Sequence, residues 1–292
     1  MFAPVMPLLR CAALFFLCSV TVHAAVVEEV VQIPVTVKNL QSQPERVTMT
    51  LTIFRDTARP KAPFVIINHG RAGSSVERAK TDRYRYTENS QWFVSKGFAV
   101  FLPTRVGYGG TGGPDLEYSG RECSRREFRP ALDAAAEQII QVVAYARARP
   151  YVGGSQGLIV GQSVGGAAVV AAAARNPDGV VAAINFSGGS GGDPAARPGQ
   201  PCSPDALGTL YAEYGMVTKV PVLWLYSKND RYWGPDVPKT WFKRYTSIGK
   251  SGEFIQLPPY GDDGHLSFTN NRAAWAAPVE QFMAILKLGM PH

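Results

Sequence analysis

A short apolar run that breaks at a serine between glycines constrains this chain more than any other feature of its sequence. Residues 158–160 are Leu-Ile-Val, Gly161-Gln162-Ser163-Val164-Gly165 follows, and an alanine-rich segment of high helix propensity comes next. Glycines two residues before and after a serine allow a sharp turn that holds the hydroxyl clear of a sheet. The pattern predicts a strand, a nucleophile elbow at Ser163, and a helix whose first amide, that of Val164, faces a developing oxyanion.

Two other serines have the same Gly-x-Ser-x-Gly surroundings. Ser155 precedes the apolar run, so it is predicted to lie in a loop that enters the strand. Ser190 follows a strand-like run, but the next residues, Gly-Gly-Asp-Pro, will not begin a helix. Only Ser163 is predicted to have a strand before it and a helix after it. The alternative for Ser163 is a glycine-lined packing turn.

Strand-like and helical patterns alternate along the rest of the chain. The predicted strands are residues 26–37, 46–54, 63–68, 98–103, the elbow strand, 181–186, 221–226 and 253–257, and the predicted helices are 83–95, 128–147, the elbow helix, 205–214, 237–245 and 273–288. Alternation of this kind predicts an α/β fold with a mostly parallel eight-stranded sheet and helices on both faces. Residues 188–218 are predicted to form a small cap on this single domain.

The first 24 residues differ from the rest. Arg10 precedes an apolar run over residues 11–20, and Val22-His23-Ala24 is typical of a signal-peptidase site. We therefore expect a secretory signal peptide that is cleaved after Ala24, a catalytic domain over residues 25–292, and a secreted or periplasmic location. The run is short for a bilayer span, so no stable membrane insertion is expected after cleavage.

Two of the four cysteines lie in the predicted signal peptide, which leaves Cys123 and Cys202. An even number of cysteines in an oxidising compartment favours one disulfide, although spacing alone leaves the pairing open.

The net charge of +7 predicts weak attraction to anionic surfaces. A cluster of arginines at positions 121, 125, 126 and 129 lacks interleaved aromatic residues, so it predicts a solvated face and no nucleic-acid partner. No metal-ligand spacing or Walker lysine is present, and neither a metal nor an organic cofactor is expected.

A serine nucleophile needs a histidine base, and the chain has four histidines. His23 belongs to the predicted signal peptide and His292 is the last residue. His69 and His265 both follow predicted strands, where the carboxyl ends of a parallel sheet meet, so both are expected near Ser163. The chain order serine, acid, histidine selects His265 as the base.

The acid is expected between these two residues, at the end of a strand. Asp230 satisfies this requirement, because it follows the buried run 221–226 after a short polar turn. Asp262 and Asp263 compete by their closeness in sequence to the histidine, and Asp236 by its position. Asp230 is favoured because a residue so close in sequence to His265 reaches its Nδ1 atom poorly.

The His69-Gly70 pair, the Ser163 elbow, Asp230 and His265 together resemble the α/β-hydrolase fold, and are most similar to its dienelactone-hydrolase-like and prolyl-oligopeptidase-like single-domain branches. The resemblance implies that the residue after His-Gly, Arg71, donates a second oxyanion amide beside Val164. Dienelactone hydrolases proper carry a cysteine nucleophile, and prolyl oligopeptidases carry a propeller domain for which this chain is too short.

Residues 105–110, Arg-Val-Gly-Tyr-Gly-Gly, also resemble a loop of the peptidase-like branch that supports the active-site wall. This resemblance implies that Tyr108 and the nearby His69 take part in substrate binding. Tyr232 and Trp233 follow the predicted acid and are expected to stack on an aromatic or flat acyl group, with ordinary packing as the alternative.

The favoured function is a serine hydrolase that cleaves a small or polymeric carboxylic ester through an acyl-enzyme. A serine peptidase or amidase is the second reading, and an acidic pair or other amine-binding group in the pocket would distinguish it. The candidates for that group are Glu117, Glu122 and Glu213. A third reading is a binding protein that keeps the hydrolase fold, which predicts a broken triad.

Overall fold

Eight strands form one mostly parallel sheet in the computed structural model, which describes residues 25–39, 42–247 and 252–288. The strands are β1 (Val26–Lys38), β2 (Pro44–Asp56), β3 (Ala62–Asn68), β4 (Ala99–Pro103), β5 (Val152–Gln162), β6 (Val180–Phe186), β7 (Val222–Ser227) and β8 (Gly252–Leu257). Their order across the sheet is β1-β2-β4-β3-β5-β6-β7-β8. Among the described strand pairs, only β1/β2 and β2/β4 are antiparallel, so the predicted fold class is confirmed.

Eight α-helices are described on the two faces of this sheet and in its connections. They are α1 (Ser75–Lys80), α2 (Thr87–Ser95), α3 (Phe128–Arg147), α4 (Val164–Ala173), α5 (Pro204–Val217), α6 (Val237–Tyr245), α7 (Ser267–Asn270) and α8 (Arg272–Ile285). Buried residues of α3, α4, α5 and α6 share one apolar core with the sheet. Those of α2 and α8 belong to the core on the opposite face. The sheet is therefore covered on both sides, which explains the continuous apolar runs of its central strands.

The register of the parallel strands brings their carboxyl ends to one edge of the sheet. Asn68, the last residue of β3, pairs with Gly161 of β5, and Phe186, the last residue of β6, pairs with Gln162. Ser227, at the end of β7, pairs with Leu257 of β8. The loops that follow these strands therefore begin side by side, as the sequence predicts.

The predicted helix over residues 83–95 is wrong in its first four residues. Helix α2 begins at Thr87, and the preceding residues are held in an extended path by the sheet: the Tyr84 amide donates to Thr104 Oγ1 and its carbonyl accepts from Thr52 Oγ1. Tyr86 then takes a φ of 39° in the left-handed region. Hydrogen bonds to the sheet therefore replace those of a helix over this stretch.

The predicted loop around Ser155 is also wrong, because β5 begins at Val152 and includes that serine. Residues 188–218, the predicted cap, comprise an irregular segment and helix α5, whose Leu207 and Tyr211 are buried in the sheet-covering core.

The predicted signal peptide, residues 1–24, lies outside the described residues. Within the described ranges, no helix has the length and apolar character needed to cross a membrane.

Candidate active site

The backbone at Ser163 makes an abrupt turn between β5 and α4. Ser163 has φ 58° and ψ −126°, a conformation that non-glycine residues rarely adopt and that costs free energy. The flanking glycines are required for close packing: a Cβ on Gly161 would lie 2.1 Å from the Gly165 carbonyl oxygen, and one on Gly165 would lie 2.3 Å from the His69 carbonyl oxygen. The glycine spacing in the sequence is therefore a packing requirement of this turn.

A continuous hydrogen-bonded chain joins Ser163 to His265 and Asp230. His265 Nε2 lies 3.0 Å from Ser163 Oγ, and His265 Nδ1 lies 3.0 Å from Asp230 Oδ2. All three residues are buried, with at most 8% of their surface exposed. With Asp230 as acceptor at Nδ1, the neutral imidazole carries its proton there and presents Nε2 to the serine hydroxyl as an acceptor.

The loop after β7 fixes the Asp230 carboxylate by main-chain hydrogen bonds. Its Oδ1 accepts from the amides of Tyr232, at 2.8 Å, and Trp233, at 3.2 Å. Asp263 has a different role, since its Oδ1 accepts from the main-chain amides of His265 and Arg231, both at 3.0 Å. Asp263 thus caps the short 3₁₀ turn that carries the histidine and ties it to the loop of the acid.

The residues expected to supply oxyanion amides border the same cavity as Ser163. Val164 is the first residue of α4, so its amide is among those that have no acceptor inside the helix. Arg71 follows Gly70, where an added Cβ would lie 3.1 Å from Ser163 Cβ. The His69-Gly70-Arg71 loop therefore runs directly beside the nucleophile.

His69, predicted to contact substrate, is not among the described residues that line the cavity. The side chain is fully buried and stacks on Tyr84, with ring centroids 3.6 Å apart. Its Nε2 accepts from the Arg105 amide at 3.1 Å, so Nδ1 carries the proton and donates to the Gly70 carbonyl at 2.7 Å. Burial, and then the positive charge of Arg105, hold the pKa of His69 well below its usual 6.5. His69 is a neutral side chain that shapes the loop beside Ser163.

Tyr108, also predicted to contact substrate, is likewise buried and is not among the described residues that line the cavity. Its hydroxyl donates to Glu117 Oε2 at 2.7 Å. Glu117 forms an ion pair with Arg105, whose Nε lies 2.5 Å from Glu117 Oε1, and both side chains are essentially inaccessible to solvent. Burial raises the pKa of the Tyr108 hydroxyl, and the neighbouring carboxylate raises it further.

The acidic residues proposed for amine recognition lie elsewhere than the cavity wall around Ser163. Glu117 is paired inside the protein with Arg105, and Glu213 pairs with Arg129 on the surface. Glu122 is exposed in the loop before α3. Among the described residues that line this cavity, the only carboxylate belongs to Asp193.

Tyr232 and Trp233 do line the cavity, as predicted for residues that contact substrate. The Tyr232 ring stacks on His265 with centroids 3.8 Å apart. The Trp233 indole packs edge-on to the same imidazole and donates from Nε1 to the Ser187 carbonyl at 2.7 Å. These rings cover His265 and orient it. Tyr232 and Trp233 therefore pack against the base and also line the cavity.

The cavity at Ser163 has a volume of about 470 Å³, and more basic than acidic side chains line it. Three arginines line it, Arg71, Arg126 and Arg197. The Arg71 guanidinium makes two hydrogen bonds of 2.6 Å to Asp115, which also pairs with Arg78. The sequence predicts a solvated face for Arg126, and nothing in the sequence neighbourhood of Arg126 or Arg197 indicates that they share a cavity.

A disulfide joins Cys123 to Cys202, as the cysteine count favours. It connects the loop before α3 to the irregular segment before α5. The Cys202 amide donates to the Gly191 carbonyl, and Ser203 Oγ donates to the Cys123 carbonyl. The bond therefore fixes two segments of the cavity rim.

In the described part of the chain, no group of three or more His, Cys, Asp or Glu residues is arranged to hold a metal ion.

A sequence model of the dienelactone hydrolase family matches residues 50–274. No curated protein matches the chain. Est1E from Butyrivibrio proteoclasticus, solved with ferulic acid, is 19% identical, with a TM-score of 0.57 over 82% of this chain and 95% of that one. An acetyl xylan esterase from Paenibacillus sp. R4 is 15% identical, with a TM-score of 0.56 over 90% and 88%. The acylaminoacyl peptidase of Pyrococcus horikoshii is 14% identical, with a TM-score of 0.55 over 89% of this chain and 42% of that one.

Proposed function

This chain belongs to the dienelactone hydrolase family and is a hydrolase of the α/β type, and we propose that it cleaves carboxylic esters with Ser163 as its nucleophile. The observation that carries the proposal is the buried hydrogen-bonded chain from Asp230 through His265 to the Ser163 hydroxyl. It supplies the base and the orienting acid that a serine needs to attack a carbonyl at neutral pH.

In the proposed reaction, Ser163 Oγ attacks the ester carbonyl while His265 Nε2 takes its proton. The Asp230 carboxylate stabilises the imidazolium that forms, and the amides of Arg71 and Val164 stabilise the oxyanion. His265 then returns the proton to the leaving alcohol, which departs as the acyl-enzyme forms. A water molecule repeats the sequence, with His265 as base, and releases the carboxylic acid and free Ser163.

Ester cleavage is preferred over peptide cleavage because of the charge in the cavity. A site that binds the free amine of a peptide needs carboxylates, whereas the wall around Ser163 contains three arginines and one aspartate among the described residues. The esterases among the solved structures also match nearly their whole length, while the peptidase matches over 42% of its own chain. Both observations support an ester substrate.

We also propose that the protein is exported after removal of residues 1–24. The Cys123–Cys202 disulfide supports this location, because such bonds persist in oxidising compartments. Amino-terminal sequencing of the protein recovered from the periplasm or medium tests the proposal, with Ala25 expected as the first residue. An intact amino terminus on cytoplasmic protein would contradict it.

A fluorophosphonate probe tests the proposed nucleophile. The wild type should be labelled, Ser163→Ala should not, and Ser190→Ala should retain labelling, which makes it the matched control because Ser190 borders the same cavity. A panel of p-nitrophenyl esters and of peptide p-nitroanilides then separates esterase from amidase activity. Labelling that persists in Ser163→Ala and disappears in Ser190→Ala would refute the assignment.

A further inference from the structure

The loop between β3 and α1 carries the proposed oxyanion amide of Arg71 but has few main-chain anchors. His69 Nδ1 donates to the Gly70 carbonyl, and the Gly70 amide lies 3.4 Å from the hydroxyl oxygen of Tyr86. Within the part of the chain that the structure describes, the main-chain groups of residues 71–73 form no hydrogen bond. An amide without a partner is free to bind an oxyanion, but other contacts must then fix its position.

The side chain of Arg71 supplies such a contact. Its guanidinium donates from Nη1 and Nη2 to the two oxygens of Asp115, both at 2.6 Å. A bidentate pair of this kind fixes the orientation of both groups as well as their distance. Asp115 Oδ2 also lies 2.9 Å from Nη2 of Arg78, a residue of α1. One carboxylate therefore joins the stretch without main-chain anchors to the helix that follows it.

These ion pairs are partly shielded from solvent. The exposed fraction is 11% for the side chain of Arg78, 21% for that of Arg71 and 26% for that of Asp115. Burial disfavours the charged carboxylate, but the hydrogen bonds and positive charges of the two arginines hold the pKa of Asp115 below its usual value. Asp115 is therefore an anion at neutral pH and is available to both guanidinium groups.

Asp115 is itself held in place by the buried network below the loop. Its Oδ1 accepts from the Glu117 amide at 3.2 Å. Glu117 pairs with the buried Arg105, whose Nη1 donates to the His69 carbonyl at 2.7 Å. Two acidic residues close in sequence therefore hold the loop on both sides of Gly70.

We propose that Asp115 is a positioning residue of the active site, which binds the Arg71 guanidinium and thereby holds the Arg71 amide where the oxyanion forms. The inference rests on the proposed function, because it requires that Ser163 attack a carbonyl. Asp115 is not among the described residues that line the cavity, so it acts through Arg71 and not by contact with substrate. Its loss should weaken binding of the transition state more than binding of the substrate.

Asp115→Asn tests this role, because it removes the charge and keeps the size of the side chain. For p-nitrophenyl acetate, kcat/KM should fall about 10- to 100-fold, as expected when a catalytic group moves by about 1 Å. The Ki of phenylboronic acid should rise by the same factor, because its tetrahedral adduct with Ser163 places an oxygen at the same amides. Partial unfolding lowers the measured activity without changing Ki. A Ki equal to or below that of the wild type would therefore overturn the proposal.

A double variant tests whether the effect passes through Arg71. Asp115→Asn combined with Arg71→Gln should have the same kcat/KM as Arg71→Gln alone, because both changes remove the same bond. Additive losses would overturn this route.

Asp133→Asn is the matched control. Asp133 also pairs with an arginine, Arg175 at 3.2 Å, and has 34% of its side chain exposed. Arg175 follows the carboxyl-terminal end of α4, whereas Ser163 precedes the first residue of that helix, so this variant should keep the kcat/KM and Ki of the wild type. Loss of hydrolysis in Ser163→Ala tests the proposed function separately. Hydrolysis that depends on Ser163 but is unchanged in Asp115→Asn would overturn only the role of Asp115.

Discussion

Removing the charge of Glu117 should destabilise the protein far more than removing that of a surface glutamate. The Arg105 guanidinium is fully buried and contacts both Glu117 oxygens, at 2.5 and 3.2 Å. Burial alone would lower the pKa of Arg105, but the charge and hydrogen bonds of Glu117 keep it above the usual arginine value. Without the carboxylate, a permanent positive charge remains in the interior with no counter-ion.

The expected magnitude follows from this burial. Breaking a buried ion pair by neutralising one partner costs about 3–5 kcal/mol of unfolding free energy. Glu117→Gln leaves the size of the side chain nearly unchanged, so the loss reports charge and hydrogen bonding and not a cavity. Arg105 also donates to the His69 carbonyl at 2.7 Å, so the loop beside Ser163 should lose its position as well and kcat should fall.

Urea unfolding followed by tryptophan fluorescence measures the effect, with a check that the m-value is unchanged. Glu213→Gln is the matched control, because Glu213 forms its ion pair with Arg129 on the surface, where such pairs contribute less than about 1 kcal/mol. A loss in Glu117→Gln no larger than that of the control would refute the reasoning. Such a result would mean that water or a rearranged neighbour stabilises the buried charge of Arg105 in the variant.

Three further predictions concern the acid, the buried histidine and the disulfide. Asp230→Asn should lower kcat for p-nitrophenyl butyrate by about 10³- to 10⁴-fold with little change in fold, because the amide favours the wrong imidazole tautomer; activity near that of wild type would exclude Asp230 as the orienting acid. Since the pKa of His69 is held well below 6.5 by burial and by Arg105, the unfolded chain binds a proton there that the folded protein does not. Unfolding free energy should therefore fall as pH drops below about 6.5, by up to about 1.4 kcal/mol per pH unit, and His69→Gln should show a shallower dependence in urea titrations at pH 5.5 to 7.5. Replacing both Cys123 and Cys202 by serine should lower unfolding free energy by about 2–4 kcal/mol, and an unchanged denaturation midpoint would contradict the stabilising role of the bond.

Much of the fold could be predicted because its signals are local. The apolar runs of the central strands and the periodicity of residues 128–147 depend only on neighbours in sequence, and helix α3 has those same bounds. The helix prediction is wrong over residues 83–86 because hydrogen bonds of this stretch go to Thr52 and Thr104, which no local pattern reveals. Tertiary contacts override helix propensity there.

The residues of the candidate site can be separated in the same way, into those that the sequence indicates and those whose position depends on tertiary contacts. Chain order and strand ends were enough to select Ser163, Asp230 and His265, since residues at the carboxyl ends of parallel strands must lie at one edge. Tertiary contacts, and not chain order, decide whether a residue at that edge faces the cavity or the interior. His69 satisfies the same rule as His265, yet its ring is turned inward by Tyr84 and by the Arg105 amide.

The sequence by itself determined the strand, turn and helix around Ser163, because glycine spacing and apolar periodicity are properties of consecutive residues. Only the tertiary structure decided which charges are paired: Glu117 pairs with Arg105 inside the protein, whereas Arg126 lines two cavities and has no carboxylate within ion-pair distance among the described residues. These pairings join residues of separate loops and helices. Their energies depend on burial and distance, and both are set when the sheet brings those segments together.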